Sequence, residues 1–205
     1  MASDAKNKEF IADCIKALDE AVRFFSPQAK EERERWVVES FLSFVRPHTP
    51  DTEIQWVDAE PWDILCLGAK FQIKEIQEPD RLRHAEYKQA LSTAKIASHP
   101  HELLDECTPT KVTAEHAVDL ALAKLESWTK KYAPVVASDL DLLVYLNIES
   151  SVSTDTIPDM SNLNLGKWRS ISILCNDCAF VLSASQEAPE YILTIIGTMF
   201  RRRPI

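Results

Sequence analysis

The spacing of apolar residues changes several times along the chain, and each change predicts an element. Ile11, Ile15, Leu18, Val22 and Phe25 recur at threes and fours, which predicts a helix over 6–25 with one apolar stripe. Ser26-Pro27 supplies an N-cap residue followed by a proline suited to the first helical position, so a second helix starts there. Its buried arc is Val37, Val38, Phe41, Leu42, Phe44 and Val45, and Pro47 and Pro50 end it. Three β segments follow at 53–58, 63–67 and 70–76. Gly68-Ala69 separates the last two as a type II′ turn with glycine first. Helices are expected from Pro79-Asp80 to about Ser98 and over 113–132, with a loop at 99–110 between them. The run 140–148 is almost continuously apolar, as a strand covered on both faces is. A long polar loop spans 149–166. The segments 168–175 and 178–184 then flank Asn176-Asp177 as a hairpin, and 189–205 is apolar before it closes on Arg201-Arg202-Arg203.

The expected order is therefore α-α-β-β-β-α-α-β-β-β. That order predicts an α/β fold, a central mixed β-sheet flanked by helices. The 205 residues suit a single domain over 1–205, with its core at about 26–148 and a C-terminal β extension at 167–205.

Charge narrows the function. Lys and Arg number 23 against 32 Asp and Glu, a net charge of -9. A nonspecific phosphate binder carries a basic footprint, so any contact with nucleic acid must come from a local patch or with help from metal ions. The polar start of the chain is not a signal peptide, and no apolar run reaches the roughly 20 residues that span a bilayer, so no membrane is involved. Five cysteines at scattered positions fit a reducing compartment, and the expected location is cytoplasmic.

Chemistry concentrates at the hairpin of 63–67 and 70–76. With the turn at Gly68-Ala69, Leu65 faces Gln72 and Asp63 faces Lys74, their Cβ atoms about 5 Å apart. Strand alternation puts Asp63, Leu65, Gln72 and Lys74 on one face and Ile64, Cys66, Phe71 and Ile73 on the other. A carboxylate, an amide and a lysine thus converge on an otherwise apolar hairpin. The plain account of the Asp63–Lys74 pair is a cross-strand ion pair.

The run Pro61-Trp62-Asp63, eight residues, then Gln72-Ile73-Lys74 resembles the signature of the PD-(D/E)XK nuclease superfamily. It is closest to the Mrr-like variant in which Gln replaces the second acidic residue. The order of helix, β-meander, helix and further strand also matches, over roughly residues 30–148. The chain is similar as well to a proteobacterial family of uncharacterised proteins described only as candidate endonucleases. The resemblance implies a restriction-endonuclease-like core and an Mg²⁺- or Mn²⁺-dependent phosphodiesterase. Asp63 would be the principal metal ligand. Glu39, on the helix before the sheet, would bind directly or through water. The Gln72 amide oxygen and the Ile73 carbonyl would be further ligands. Lys74 would position the attacking water and stabilise developing charge. The catalytic set is then Asp63, Gln72, Lys74 and Glu39. An amide binds a hard cation more weakly than a carboxylate. Glu75 does not replace it, because alternation points it to the opposite face. The ordinary account of Glu39 is a solvated helix residue, about 60° beyond the edge of its helix's apolar arc.

The helix after the motif carries Arg81, His84, Lys88 and Lys95 within about one 60° stripe. Such a stripe could track phosphates, DNA before RNA, or be an ordinary solvated face. Cys175-Asn176-Asp177-Cys178 reads as a turn flanked by cysteines, since a zinc ribbon needs a second ligand pair. His99-Pro100-His101 reads as a loop. Gly-rich phosphate loops, GxSxG and HExxH are absent. The rival to a nuclease is a non-catalytic nuclease-fold scaffold for a protein or nucleic-acid partner. An edge strand or the polar loop would allow a homodimer.

Overall fold

A computed structural model describes residues 2–58, 60–78, 82–103, 110–148, 150–153, 156–160 and 167–202. The chain packs as two compact units, Met1–Arg33 with Pro79–Thr108, and Glu34–Glu78 with Pro109–Ile205. The expected core at 26–148 is thus divided between them.

In the first unit, α1 (Ala2–Phe24) packs on α3 (Arg83–Ile96). Phe25 stacks on Tyr87 with ring centroids 5.2 Å apart, and the Arg83 guanidinium lies over Phe25. Arg33 donates to the Phe24 carbonyl at 2.8 Å, and Arg23 pairs with Glu32 at 2.8 Å.

The second unit holds the sheet. Among the described residues its strands are β1 (Ile54–Trp56), β2 (Ile64–Cys66), β3 (Ala69–Gln77), β5 (Asp141–Asn147), β7 (Ser170–Leu174), β8 (Cys178–Ala184) and β9 (Met199–Arg201). They stand in the order β1-β2-β3-β5-β7-β8-β9. The central β3, β5 and β7 are parallel and the flanking pairs antiparallel. This is the expected mixed sheet with flanking helices. The strands assigned to a C-terminal extension, β7 and β8, extend the same sheet.

All seven residues of β5 are buried, because the sheet is covered on both faces. On one face, α2 (Lys30–Val45) lays Val37, Val38, Phe41 and Leu42 on Ile64, Cys66, Phe71, Leu143 and Tyr145. On the other, α4 (Ala114–Thr129) lays Ala117, Val118, Ala121, Leu125 and Trp128 on Leu142, Val144, Leu146, Ile171 and Ile173. Each buried aliphatic side chain contributes about 1.5–3 kcal/mol of transfer free energy. Thr113 caps α4 by accepting from the His116 backbone N–H at 3.1 Å.

Two features differ from the sequence expectation. The hairpin turns at Leu67-Gly68, with φ of 50° and 81°, so both central residues are left-handed as in a type I′ turn. Leu65 therefore opposes Lys70 and Cys66 opposes Ala69, two residues out of the expected register. Tertiary contacts hold this turn. Arg169 donates to the Gly68 carbonyl at 3.0 Å, and the Lys70 N–H donates to Asp141 at 2.9 Å. Asp141 is fully buried, and it also pairs with the Arg169 guanidinium and accepts from Ser170 at 2.7 Å. The second difference lies in segments expected as loops. There β4 (Thr110–Val112) pairs in parallel with β6 (Ser150–Val152). Strands of three residues are too short to leave a periodic signal. The cysteine turn is as expected: the Cys175 N–H donates to the Cys178 carbonyl at 2.8 Å, and both thiols are free.

Candidate active site

Asp63 sits just before β2, fixed by its backbone between two neighbours. Its N–H donates to the Phe71 carbonyl at 2.8 Å, and its carbonyl accepts from the Val57 N–H at 2.9 Å. Its side chain turns to the α4 face of the sheet and is buried. Oδ2 accepts from Gln72 Nε2 at 2.5 Å and from the Ile73 N–H at 2.8 Å. Continuing the observed register places Gln72, not Lys74, opposite Asp63. A slip of two residues keeps side-chain parity, so Asp63, Gln72 and Lys74 still share one face.

Gln72 is 2% exposed. Its amide oxygen accepts from the Tyr132 hydroxyl at 2.5 Å, and that hydroxyl lies 3.5 Å from Glu60 Oε2. Burial pushes the Tyr132 phenol pKa up, and the charges of Glu60 and Asp63 push it further. Lys74 is half-buried. Desolvation holds its pKa below the usual lysine value, partly offset by the charges of Asp63 and Glu60, with Lys131 adding to the lowering and Glu34 a minor offset. Trp62 lies under the Lys70 ammonium at 5.0 Å, and its buried indole N–H has no partner among the described residues.

The other expected site residues are placed differently. Glu39 lies on α2, which covers the opposite face of the sheet, and its carboxylate stands 3.9 Å from Arg35. The α2 carboxylate whose charge reaches Lys74 is Glu34, which also accepts from the Trp56 indole at 2.7 Å. Ile73 contributes a backbone N–H to Asp63. Glu75 points away as expected and accepts from Asn147. Arg81 lies outside the described residues. His84, Lys88 and Lys95 are on α3 in the first unit, with Lys88 and Lys95 exposed. His101 lies in the 3-10 turn Pro100–Leu103, and His99 directly precedes it. Tyr132 and Glu60 were not anticipated. Glu60 directly precedes the Pro61-Trp62-Asp63 run, a signal that could have been used. No spacing rule links Tyr132 to a residue 60 positions away.

A hard dication such as Mg²⁺ takes one or two carboxylates and keeps several waters. The charges of Asp63 and Glu60 both bear on Tyr132, and these two are the carboxylates that could hold such an ion. The Gln72 amide presents its nitrogen to Asp63 and its oxygen to Tyr132. Among the described residues no three His, Cys, Asp or Glu side chains form a group that could hold a metal ion. The residues fit a largely hydrated ion and not a closed cage.

Residues 6–204 match the model of a family described as "Putative endonuclease, protein of unknown function". The chain belongs to this family, DUF1780. The DUF1780 chain is also similar in fold to a solved structure from Pseudomonas aeruginosa strain PAO1, a protein of unknown function described as of the monooxygenase superfamily. The TM-score is 0.66 and the identity 21%, over 95% of each chain. At that identity the likeness concerns the fold alone. No curated protein matches the chain. No helix among the described residues is long and apolar enough to cross a membrane.

Proposed function

We propose that this DUF1780 chain hydrolyses phosphodiester bonds of nucleic acid, DNA before RNA, at the PD-(D/E)XK-like face that carries Asp63, Gln72 and Lys74. The observation that carries this reading is the pairing of a buried carboxylate, Asp63, with a partly desolvated lysine, Lys74, two positions along β3 from the Gln72 it bonds. A lysine with a lowered pKa exchanges protons nearer neutral pH and still presents positive charge to a phosphate. Lys74 would position the attacking water and stabilise the charge that develops on the phosphate oxygens. Asp63 would orient that water. Mg²⁺ or Mn²⁺, held by Asp63 and Glu60 through a hydrated shell, would neutralise phosphate charge and lower the pKa of bound water. Within the first unit, His84, Lys88 and Lys95 on α3 would supply a basic patch for phosphate in a chain of net charge -9.

The test is cleavage of supercoiled plasmid, linear duplex and single-stranded DNA and RNA in Mg²⁺ and in Mn²⁺, beside Asp63→Asn. Metal-dependent cutting that vanishes in Asp63→Asn supports the reading. A wild-type chain that neither cuts nor binds either ion sinks it. One observation favours the scaffold reading instead: Asp63, Gln72 and Tyr132 already satisfy one another in a closed hydrogen-bond chain. In that case the same face is structural, and the partner is a protein or an uncut nucleic acid.

A further inference from the structure

The geometry points to Tyr132 as a positioning residue for this site: its hydroxyl anchors the oxygen end of the Gln72 amide whose nitrogen bonds Asp63. The catalytic consequence of this inference rests on the nuclease reading above; the orientation itself does not.

The number of protons available decides the orientation. A carboxylate only accepts, a primary amide has one donating and one accepting end, and a phenol carries one proton. Gln72 lies between Asp63 and Tyr132, with contacts of 2.5 Å on both sides. With Asp63 accepting, the amide nitrogen must face Asp63 and its oxygen must face the phenol. The phenol proton then belongs to Gln72. Glu60 competes for that same proton from 3.5 Å and is the more distant acceptor. Gln72 is 2% exposed, so water does not substitute for a missing donor.

Tyr132 is held rigidly enough to impose this. Its N–H donates to the Thr129 carbonyl at 3.1 Å, just past the end of α4. Its ring meets Trp168 edge-on with centroids 5.5 Å apart, and the Trp168 indole is tied to Thr129 Oγ1 at 2.9 Å. Without the hydroxyl, the Gln72 oxygen is a buried acceptor with no donor. The amide is then held at its Asp63 end alone, and its hydrogen bond to the carboxylate opens more often.

The experiment uses the full chain labelled with ¹⁵N and follows the Gln72 side-chain N–H₂ pair, assigned by its loss in Gln72→Ala. In the wild type these protons exchange slowly. In Tyr132→Phe they exchange about tenfold faster or more, the effect of one lost hydrogen bond, while the backbone spectrum stays close to wild type and the melting temperature falls by only a few degrees. Glu60→Gln removes the competing carboxylate and keeps the protection. On a nucleic-acid substrate, kcat of Tyr132→Phe falls by about the same factor with KM unchanged, the pattern of an interaction used in the transition state. Protection that survives in Tyr132→Phe overturns the inference whatever the cleavage result. Protection lost with kcat unchanged overturns the role in catalysis. A wild-type chain that does not cut, with protection lost in Tyr132→Phe, removes the nuclease reading and leaves the clamp standing.

Discussion

Nε2 of Gln72 lies 2.5 Å from Oδ2 of Asp63, where the strand after the Leu67-Gly68 turn folds back against it. An amide at position 72 exchanges the repulsion that a second buried carboxylate would bring for a hydrogen bond, and holds Asp63 in place.

Gln72→Glu reverses that exchange. A carboxylate against Asp63 forces one of the two to take a proton or to bind a cation. The variant should melt below wild type at pH 7 in chelator, and Mn²⁺ should raise its melting temperature more than it raises that of wild type. Thermal melts with and without Mn²⁺ read both effects. An equal response of the two proteins to Mn²⁺ would show that position 72 does not face the cation.

Lys74 makes stability depend on alkaline pH. Its folded pKa is lowered, chiefly by desolvation, so between the folded value and the unfolded value of about 10.4 the unfolded chain binds more protons. The Lys74 contribution to stability therefore rises with pH through that window. Relative to Lys74→Met, which never ionises, the wild type should gain melting temperature as pH is raised from 7 toward 10. A difference between the two that does not change with pH would contradict the lowered pKa.

Glu39→Gln should leave cleavage and divalent-ion binding unchanged, because α2 covers the sheet face opposite Asp63. Calorimetric titration with Mn²⁺ and the plasmid assay check it side by side with Glu60→Gln. A loss in Glu39→Gln equal to that in Asp63→Asn would restore the family-pattern assignment of this residue.

Arg169→Ala tests the bracket at the start of β5 and β7. It leaves Asp141, which is 0% exposed, without its guanidinium and leaves the Gly68 carbonyl without a donor. Breaking a buried ion pair by removing one partner costs about 3–5 kcal/mol. Urea unfolding measures it. Asp141→Asn keeps one of the two oxygens that accept from Lys70 and Ser170, puts an amide N–H₂ in place of the other and leaves Arg169 without its carboxylate, so it should cost a comparable amount.

Local pattern alone determined much of this protein. The 3.6-residue stripe marked the packed face of α2. The unbroken apolar run at 140–148 marked β5 as the doubly covered central strand, because a strand between two helical layers has no polar face. Strand alternation put Asp63, Gln72 and Lys74 on one face, and that survived an incorrect turn because a slip of two residues preserves parity. Tertiary structure decided the rest. The turn moved to Leu67-Gly68, where Arg169 bonds the Gly68 carbonyl from 101 residues away and Asp141 bonds the following N–H from 71 residues away, separations that no local pattern spans. Which face of the sheet α2 covers, and so whether Glu39 meets Asp63, depends on the connection to β1 and not on the helix's own stripe. Tyr132 reaches Gln72 only because β3 and β5 lie side by side, which brings the end of α4 over the site.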